Sequence, residues 1–304
     1  MTDAAGRKVV MNVRIITDSG SDILPETAKH WNITVIPLIV RFGEEEFYDG
    51  VTLSREEFYT HLIKEKQIPK TSQITPVVYE KEFRKALDNG EDVVCLVLSQ
   101  QVSGCYQSAC IARNEIEDDD PELAKKIYIV DCMQFCGSLY ILVQWATNLR
   151  DKGYSACEIA EAIEKSKTKC WVISLFDTLE YLKLGGRISQ VTATAGNLLS
   201  IKPVVTVEDG VVKVVGKARG TRNGNSMVTQ FIRRKGGVDW TKPTVFSYTG
   251  FSPNRLNQFI EDNPSLFDGH YKDGYPISHV GATVGTYAGP DAFAFSFFQN
   301  EETK

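Results

Sequence analysis

No Cys-x-x-Cys pair occurs among the seven cysteines, Cys95, Cys105, Cys110, Cys132, Cys136, Cys157 and Cys170. An odd count without such a pair argues against a disulfide framework and against a four-ligand zinc site. Several of the seven fall at apolar positions of expected strands and helices, where a free thiol behaves as a small hydrophobe, so they read as reduced core residues. Cys132 and Cys136 lack a nearby histidine cluster, which argues against a metal or redox pair. Basic residues are also short: 34 Lys and Arg against 39 Asp and Glu leave a formal charge of -5. With no Lys/Arg stripe, that balance excludes a nucleic-acid surface. No apolar run approaches the roughly 18 residues of a membrane span, and the N-terminus lacks the apolar segment of a signal peptide. The expectation is a cytoplasmic protein without an integral membrane span. Missing too are Gly-x-Ser-x-Gly and any glycine-rich phosphate loop. The four histidines, His30, His61, His270 and His279, show no nucleophile-base pattern.

What is present is an ordinary globular composition, 42% hydrophobic and 24% charged over 304 residues, a length that favours about two domains. There is no internal repeat and no low-complexity linker. The first ten residues, MTDAAGRKVV, read as an extension before Met11. Residues 93–98 form a short apolar run, polar residues follow, and Cys105, Ala109, Ala112 and Ile116 then recur at helical spacing. This predicts a strand, a loop and a helix opening at Ser103. Such a corner offers unpaired N–H groups, a hydroxyl and, at Gly104, close access to the main chain, which suits a carboxylate or phosphate. An ordinary serine N-cap is the competing reading.

Earlier in the chain, residues 13–17 predict a strand that runs into Asp18 and Ser19, placed where parallel sheets hold ligands or where they simply cap the next helix. Residues 33–40 predict a second strand, 41–49 an exposed continuation or hairpin, and 53–65 a helix with an acidic start. Thr75 is a natural N-cap before Pro76, which leaves the hydroxyls of Thr71 and Ser72 unexplained in an extended segment. Residues 127–130 predict a strand, and 137–150 and 157–167 two helices. This alternation argues an α/β fold with a mostly parallel sheet.

From residue 170 the character changes. A strand over 171–176 leads to Asp177-Thr178-Leu179-Glu180, which resembles a capping box, and to a short helix ended by Gly185-Gly186. Two glycines let Arg187 turn inward, and arginine suits a bidentate grip on a carboxylate or phosphate, although a rim salt bridge would look the same. Residues 203–207 and 211–215 flank Asp209-Gly210 as a hairpin. Strands follow over 244–248, 275–286 and 293–297, the last alternating like a half-buried strand. Lys217, Arg219 and Arg222 form a basic surface, either solvated or facing a partner protein. These features predict a second domain of α+β type, with divisions at 11–169 and 170–301.

Five separated motifs now stand in order: Ile15-Ile16-Thr17-Asp18-Ser19, Thr71-Ser72-Gln73, Ser103-Gly104-x-Tyr106-Gln107-Ser108-Ala109, Leu182-Lys183-x-Gly185-Gly186-Arg187-Ile188 and Val284-Gly285-Thr286-Tyr287-Ala288-Gly289-Pro290. The set resembles the DegV family, whose better-known members are the fatty-acid-carrying subunits of bacterial fatty acid kinase, and it spans residues 13–298. The resemblance implies a two-domain fold with one long-chain fatty acid held between the domains. It implies that Thr71 and Ser103 bind the carboxylate with their hydroxyls, that Gly104 lends its N–H, and that Arg187 lies in the head-group region with Ser72 and Tyr287 as neighbours. It further implies no catalytic residue, no metal and no cofactor beyond the bound lipid. The implied partner is an ATP-dependent kinase subunit that phosphorylates the carboxylate, and Lys217 and Arg219 are candidates for its contact surface.

The chemistry agrees, since a desolvated carboxylate needs donors, and each buried methylene adds about 0.8 kcal/mol. One departure stands out: family members often carry histidine where this chain has Tyr287, and glycine where it has Asp291. Tyrosine donates a hydrogen bond, but with a pKa near 10 it is no proton relay at neutral pH. Two other readings remain open, a serine-dependent acyl hydrolase or transferase using Ser103 and a carrier of a different amphipathic acid.

Overall fold

The computed structural model describes residues 12–188, 201–271 and 274–301, so the extension before Met11 lies outside the described residues. The first half carries β1 (Val13–Asp18), β2 (Thr34–Ile36), β3 (Ile39–Phe42), β4 (Glu45–Tyr48), β5 (Lys70–Ser72), β6 (Asp92–Val97) and β7 (Ile127–Asp131). The second half carries β8 (Cys170–Leu175), β9 (Ile201–Glu208), β10 (Val211–Arg219), β11 (Val245–Tyr248), β12 (Ile277–His279) and β13 (Phe293–Phe298).

The strands β2-β1-β6-β7 form a parallel sheet. Their apolar runs are buried because the helices Pro76–Asp88, Cys105–Asp119, Gly137–Asp151 and Ala156–Ser166 pack against them in one core. A six-stranded mixed sheet, β10-β9-β8-β13-β11-β12, makes up the second half, with the helices Thr221–Arg234 and Asn254–Glu261 contributing to its core. The architecture is thus α/β followed by α+β, as expected. A small antiparallel sheet, β4-β3-β5, stands apart from both and shares a core with Ala282 and Tyr181 from the second half. Among the described residues no helix is long and apolar enough to cross a membrane.

Several expectations are corrected. The strand read over 33–40 is two strands in two different sheets, because Pro37 lacks an N–H and interrupts the ladder between them. The strand read over 275–286 ends at His279, and Ala282–Ala288 is a helix. Gly281, Thr283, Val284 and Gly285 are poor helix formers, but remote carboxylates cap this helix: Asp22 accepts from the Gly281 N–H at 2.8 Å, and Asp49 from those of Ala282 and Thr283 at 2.9 and 3.0 Å. The capping box read at Asp177 is absent, since Thr178 Oγ1 accepts from the Glu180 N–H while Asp177 pairs with Lys202 and Arg255. Of the cysteines read as core residues, Cys157 is exposed and Cys110 only half-buried.

The half-burial expected of 293–297 is also wrong, for β13 is buried on both faces. Its alternation separates large from small residues. Phe293, Phe295 and Phe297 enter an aromatic core, where Phe295 stacks on Phe246 at 4.6 Å and Phe293 on Phe259 at 4.8 Å between ring centroids. Ala294 and Ser296 point the other way. Strand register places Val205, Ser174, Ala294 and Ser247 in one row across β9, β8, β13 and β11. Small side chains along that row leave room above the sheet.

Candidate ligand-binding site

The space above the row is a cavity of about 410 Å³. Its floor includes Val172, Ser174, Val205, Ala294 and Ser247, and its walls include Leu38, Leu98, Val102 and Phe135, together with Thr283, Val284, Tyr287 and Ala288 of the capped helix. Val172 and Phe176 lie four residues apart on one extended segment, so the cavity runs about 13 Å along β8. A broader surface groove of about 680 Å³ elsewhere is lined by charged side chains such as Arg113, Lys125, Glu161 and Lys165, so volume alone does not mark a site. Enclosure by mostly small and apolar side chains, with a few hydroxyls and the Arg187 cation among them, singles out the first.

Thr71, Ser72, Ser103, Gly104, Arg187 and Tyr287 all line that cavity. Each arrives by a different local route. Thr71 and Ser72 sit on β5, paired to Val40 and Ile39 of β3. The helix expected to open at Ser103 begins at Cys105, with Gly104 in the cap position, and Ser103 Oγ accepts from the Cys105 N–H at 3.3 Å. Gly104 is glycine for a reason of space, because a Cβ there would stand 1.9 Å from Gln73 Oε1. Gln73, quoted in a motif but not singled out, is itself held by Ser108 at 2.9 Å. Gly186 adopts a positive φ of 67°, which turns the chain so that Arg187 reaches the cavity mouth.

At that mouth the Arg187 guanidinium lies over the Tyr287 ring at 5.1 Å and donates to the carbonyl of Gly185 at 2.9 Å. Among the described residues no carboxylate pairs with it. Tyr287 and Thr71 share a hydrogen bond between their hydroxyls at 2.6 Å, which joins the C-terminal helix to β5. The polar end therefore presents hydroxyls and one cation to an apolar space, an arrangement suited to an amphipathic anion.

Asp18 and Ser19 are not among the residues that line the cavity. Asp18 accepts from the N–H groups of Gly20 and Leu98 at 2.9 and 2.8 Å, and Ser19 Oγ accepts from that of Leu38 at 3.0 Å. They clamp the wall of the cavity. Burial pushes the carboxyls of both Asp18 and Asp22 up to about 7, against the backbone hydrogen bonds that lower them. Burial likewise pushes the Cys136 thiol up, which disfavours a thiolate.

The histidines are engaged elsewhere. His61 meets Glu65 at 2.8 Å, His270 stacks on Trp240, and His279 lies against Tyr248 with Nε2 at 2.8 Å from the Gly250 carbonyl oxygen. His30 is exposed at the end of the short helix Pro25–His30. Among the described residues no histidine is hydrogen-bonded to Ser103, and no group of three or more His, Cys, Asp or Glu could hold a metal ion. Lys217 and Arg219 are exposed on β10, the sheet-edge strand, and do not line the cavity.

Fold and cavity define a two-part α/β protein that encloses an apolar space with one polar end. The model of the DegV family, described as one of uncharacterised proteins, matches residues 12–300, and the chain belongs to that family. A DegV domain-containing protein of Caldanaerobacter subterraneus is 31% identical over 290 residues, 95% of this chain and 99% of the relative. Among solved structures, a stearic-acid-binding protein from Eubacterium ventriosum superposes with a TM-score of 0.84 at 26% identity, covering 96% of this chain and all (100%) of the other. DegV of Bacillus subtilis, described as a fatty acid binding protein, superposes with a TM-score of 0.79 at 25% identity, covering 95% and 100%.

Proposed function

We propose that this protein is a cytoplasmic carrier that holds one long-chain fatty acid in the cavity. The carboxylate lies among the hydroxyls of Thr71 and Ser103, the Gly104 N–H and the Arg187 guanidinium, with Ser72 and Tyr287 beside it. The acyl chain runs over the row of Ser174 and Ala294. The observation that carries this reading is the single apolar cavity wall ending in hydroxyls and a cation without a carboxylate partner among the described residues. The ligands of the Eubacterium and Bacillus relatives point the same way.

On this reading the two domains comprise residues 11–169 and 170–301. The carrier presents its lipid to an ATP-dependent fatty acid kinase subunit, with Lys217 and Arg219 on the contact face, and Tyr287 holds the head group without relaying a proton. Native mass spectrometry of the freshly purified protein, followed by extraction and identification of the bound molecule, tests the first step. One fatty acid per chain is the expected result. A protein that is empty and refuses added fatty acids would overturn the reading.

A further inference from the structure

The loop after β6 brings Val102, Ser103 and Gly104 to the cavity, and a residue outside the cavity holds it. Ser99 is 0% exposed and uses every polar group it has. Its N–H donates to the Gln134 carbonyl at 3.0 Å, and its own carbonyl accepts from the N–H groups of Val102 and Ser103, both at 3.2 Å. The side chain faces the other half of the molecule. Ser99 Oγ accepts from the Gln101 N–H at 3.2 Å and donates to the carbonyl of Gly210 at 2.8 Å.

Gly210 lies at the tip of the hairpin formed by β9 and β10, which itself lines the cavity with Val205, Thr206, Val207 and Val212. Its φ is +78°, and a Cβ there would stand 2.4 Å from Ser99 Oγ and 3.0 Å from Gln101 Cγ. The turn and the contact both require glycine. One buried hydrogen bond thus ties a hairpin of the six-stranded sheet to the loop that leaves the parallel sheet at β6. Arg187 is drawn to the same loop, for its Nε donates to the Val102 carbonyl at 3.4 Å. A shift of that loop therefore carries with it the Ser103 hydroxyl, the Gly104 N–H and an anchor of the Arg187 guanidinium.

We propose that Ser99 is a positioning residue for the head-group site: its grip on Gly210 fixes the Ser103–Gly104 loop against the hairpin and so sets the preference for a carboxylate over an uncharged head group. This rests on the fatty acid reading above. Ser99 acts through the loop, since it does not line the cavity itself. Hydrogen bonds to a charged head group depend steeply on distance and direction, whereas burial of a methylene chain is non-directional. A displaced loop costs a carboxylate more than it costs a neutral head group on the same chain.

The test uses the delipidated full-length protein and competition between stearic acid and octadecanol, its alcohol of equal chain length, read by native mass spectrometry. Ser99→Ala removes the bond from one side, and Gly210→Ala pushes the hairpin away from the other. Each is expected to lower the preference for stearic acid about fivefold to tenfold, the worth of one hydrogen bond, while octadecanol binds as before. Both changes cut the same contact, so the double variant should fall no further than either alone. Ser99→Ala is the milder change and decides alone if Gly210→Ala does not fold. An unchanged preference in Ser99→Ala, an equal weakening of both ligands, or additive losses in the double variant would overturn the positioning role and leave the carrier reading intact. Failure of the unaltered protein to bind stearic acid would overturn both.

Discussion

The two faces of the six-stranded sheet are built from the same strands and do opposite things. On one face Phe246, Phe293, Phe295 and Phe297 fill space and stack on one another. On the other, Ser174, Ala294 and Ser247 leave space, and the cavity lies there. Stability and emptiness are thus separated by the two-residue period of a strand. The aromatic face holds the sheet together so that the small face can remain unfilled.

That division can be broken from either side. Phe295→Ala should destabilise the fold by about 3–5 kcal/mol, seen in chemical denaturation, while the protein that remains folded keeps its lipid. Ala294→Phe should do the reverse, cutting lipid occupancy at least about tenfold in native mass spectrometry through steric filling. A similar loss of stability and of lipid in both variants would mean that the faces are not independent. Smaller is the effect of Arg187→Ala at the cavity mouth, where losing one charge-assisted contact should weaken retention about tenfold without shifting the melting temperature of the delipidated protein.

Titration adds a gentler distinction, since buried carboxyls border the cavity side. Asp18 and Asp22 have folded values near 7 against 3.8 when free, owing to burial. The folded chain therefore keeps protons that the unfolded chain releases between these values, and stability from these groups declines as pH rises from about 4 to about 7. A tenfold change in proton affinity corresponds to about 1.4 kcal/mol. The melting temperature should be higher at pH 5 than at pH 8, and Asp22→Asn, which still accepts from Gly281, should flatten the slope. An unchanged slope would remove Asp22 from this account.

Periodicity revealed most of the strands and helices because each pattern is local: the apolar run of β6 and the spacing of Cys105, Ala109, Ala112 and Ile116 need no tertiary information. The motif residues Thr71, Ser103, Gly104, Arg187 and Tyr287 come together at one end of one cavity, and their proximity was implied by resemblance rather than by pattern. The cavity floor was hidden. Alanine and serine opposite phenylalanine give the same alternation as a solvated face, so in sequence β13 looks half-buried. Only the register of β8, β13 and β11 shows that those small residues form a row. The helix Ala282–Ala288 was missed for a related reason, since its capping carboxylates lie more than two hundred positions away.

Those remote caps bear on the order in which the molecule folds. Asp22 and Asp49 are translated long before Gly281 and Ala282, and the contact closes a loop that spans most of the chain. Such long-range closure slows folding and places the docking of this helix late on the route to the native state. A nascent chain can finish its parallel sheet first, and the wall that carries Tyr287 is set only when the C-terminal segment returns to it.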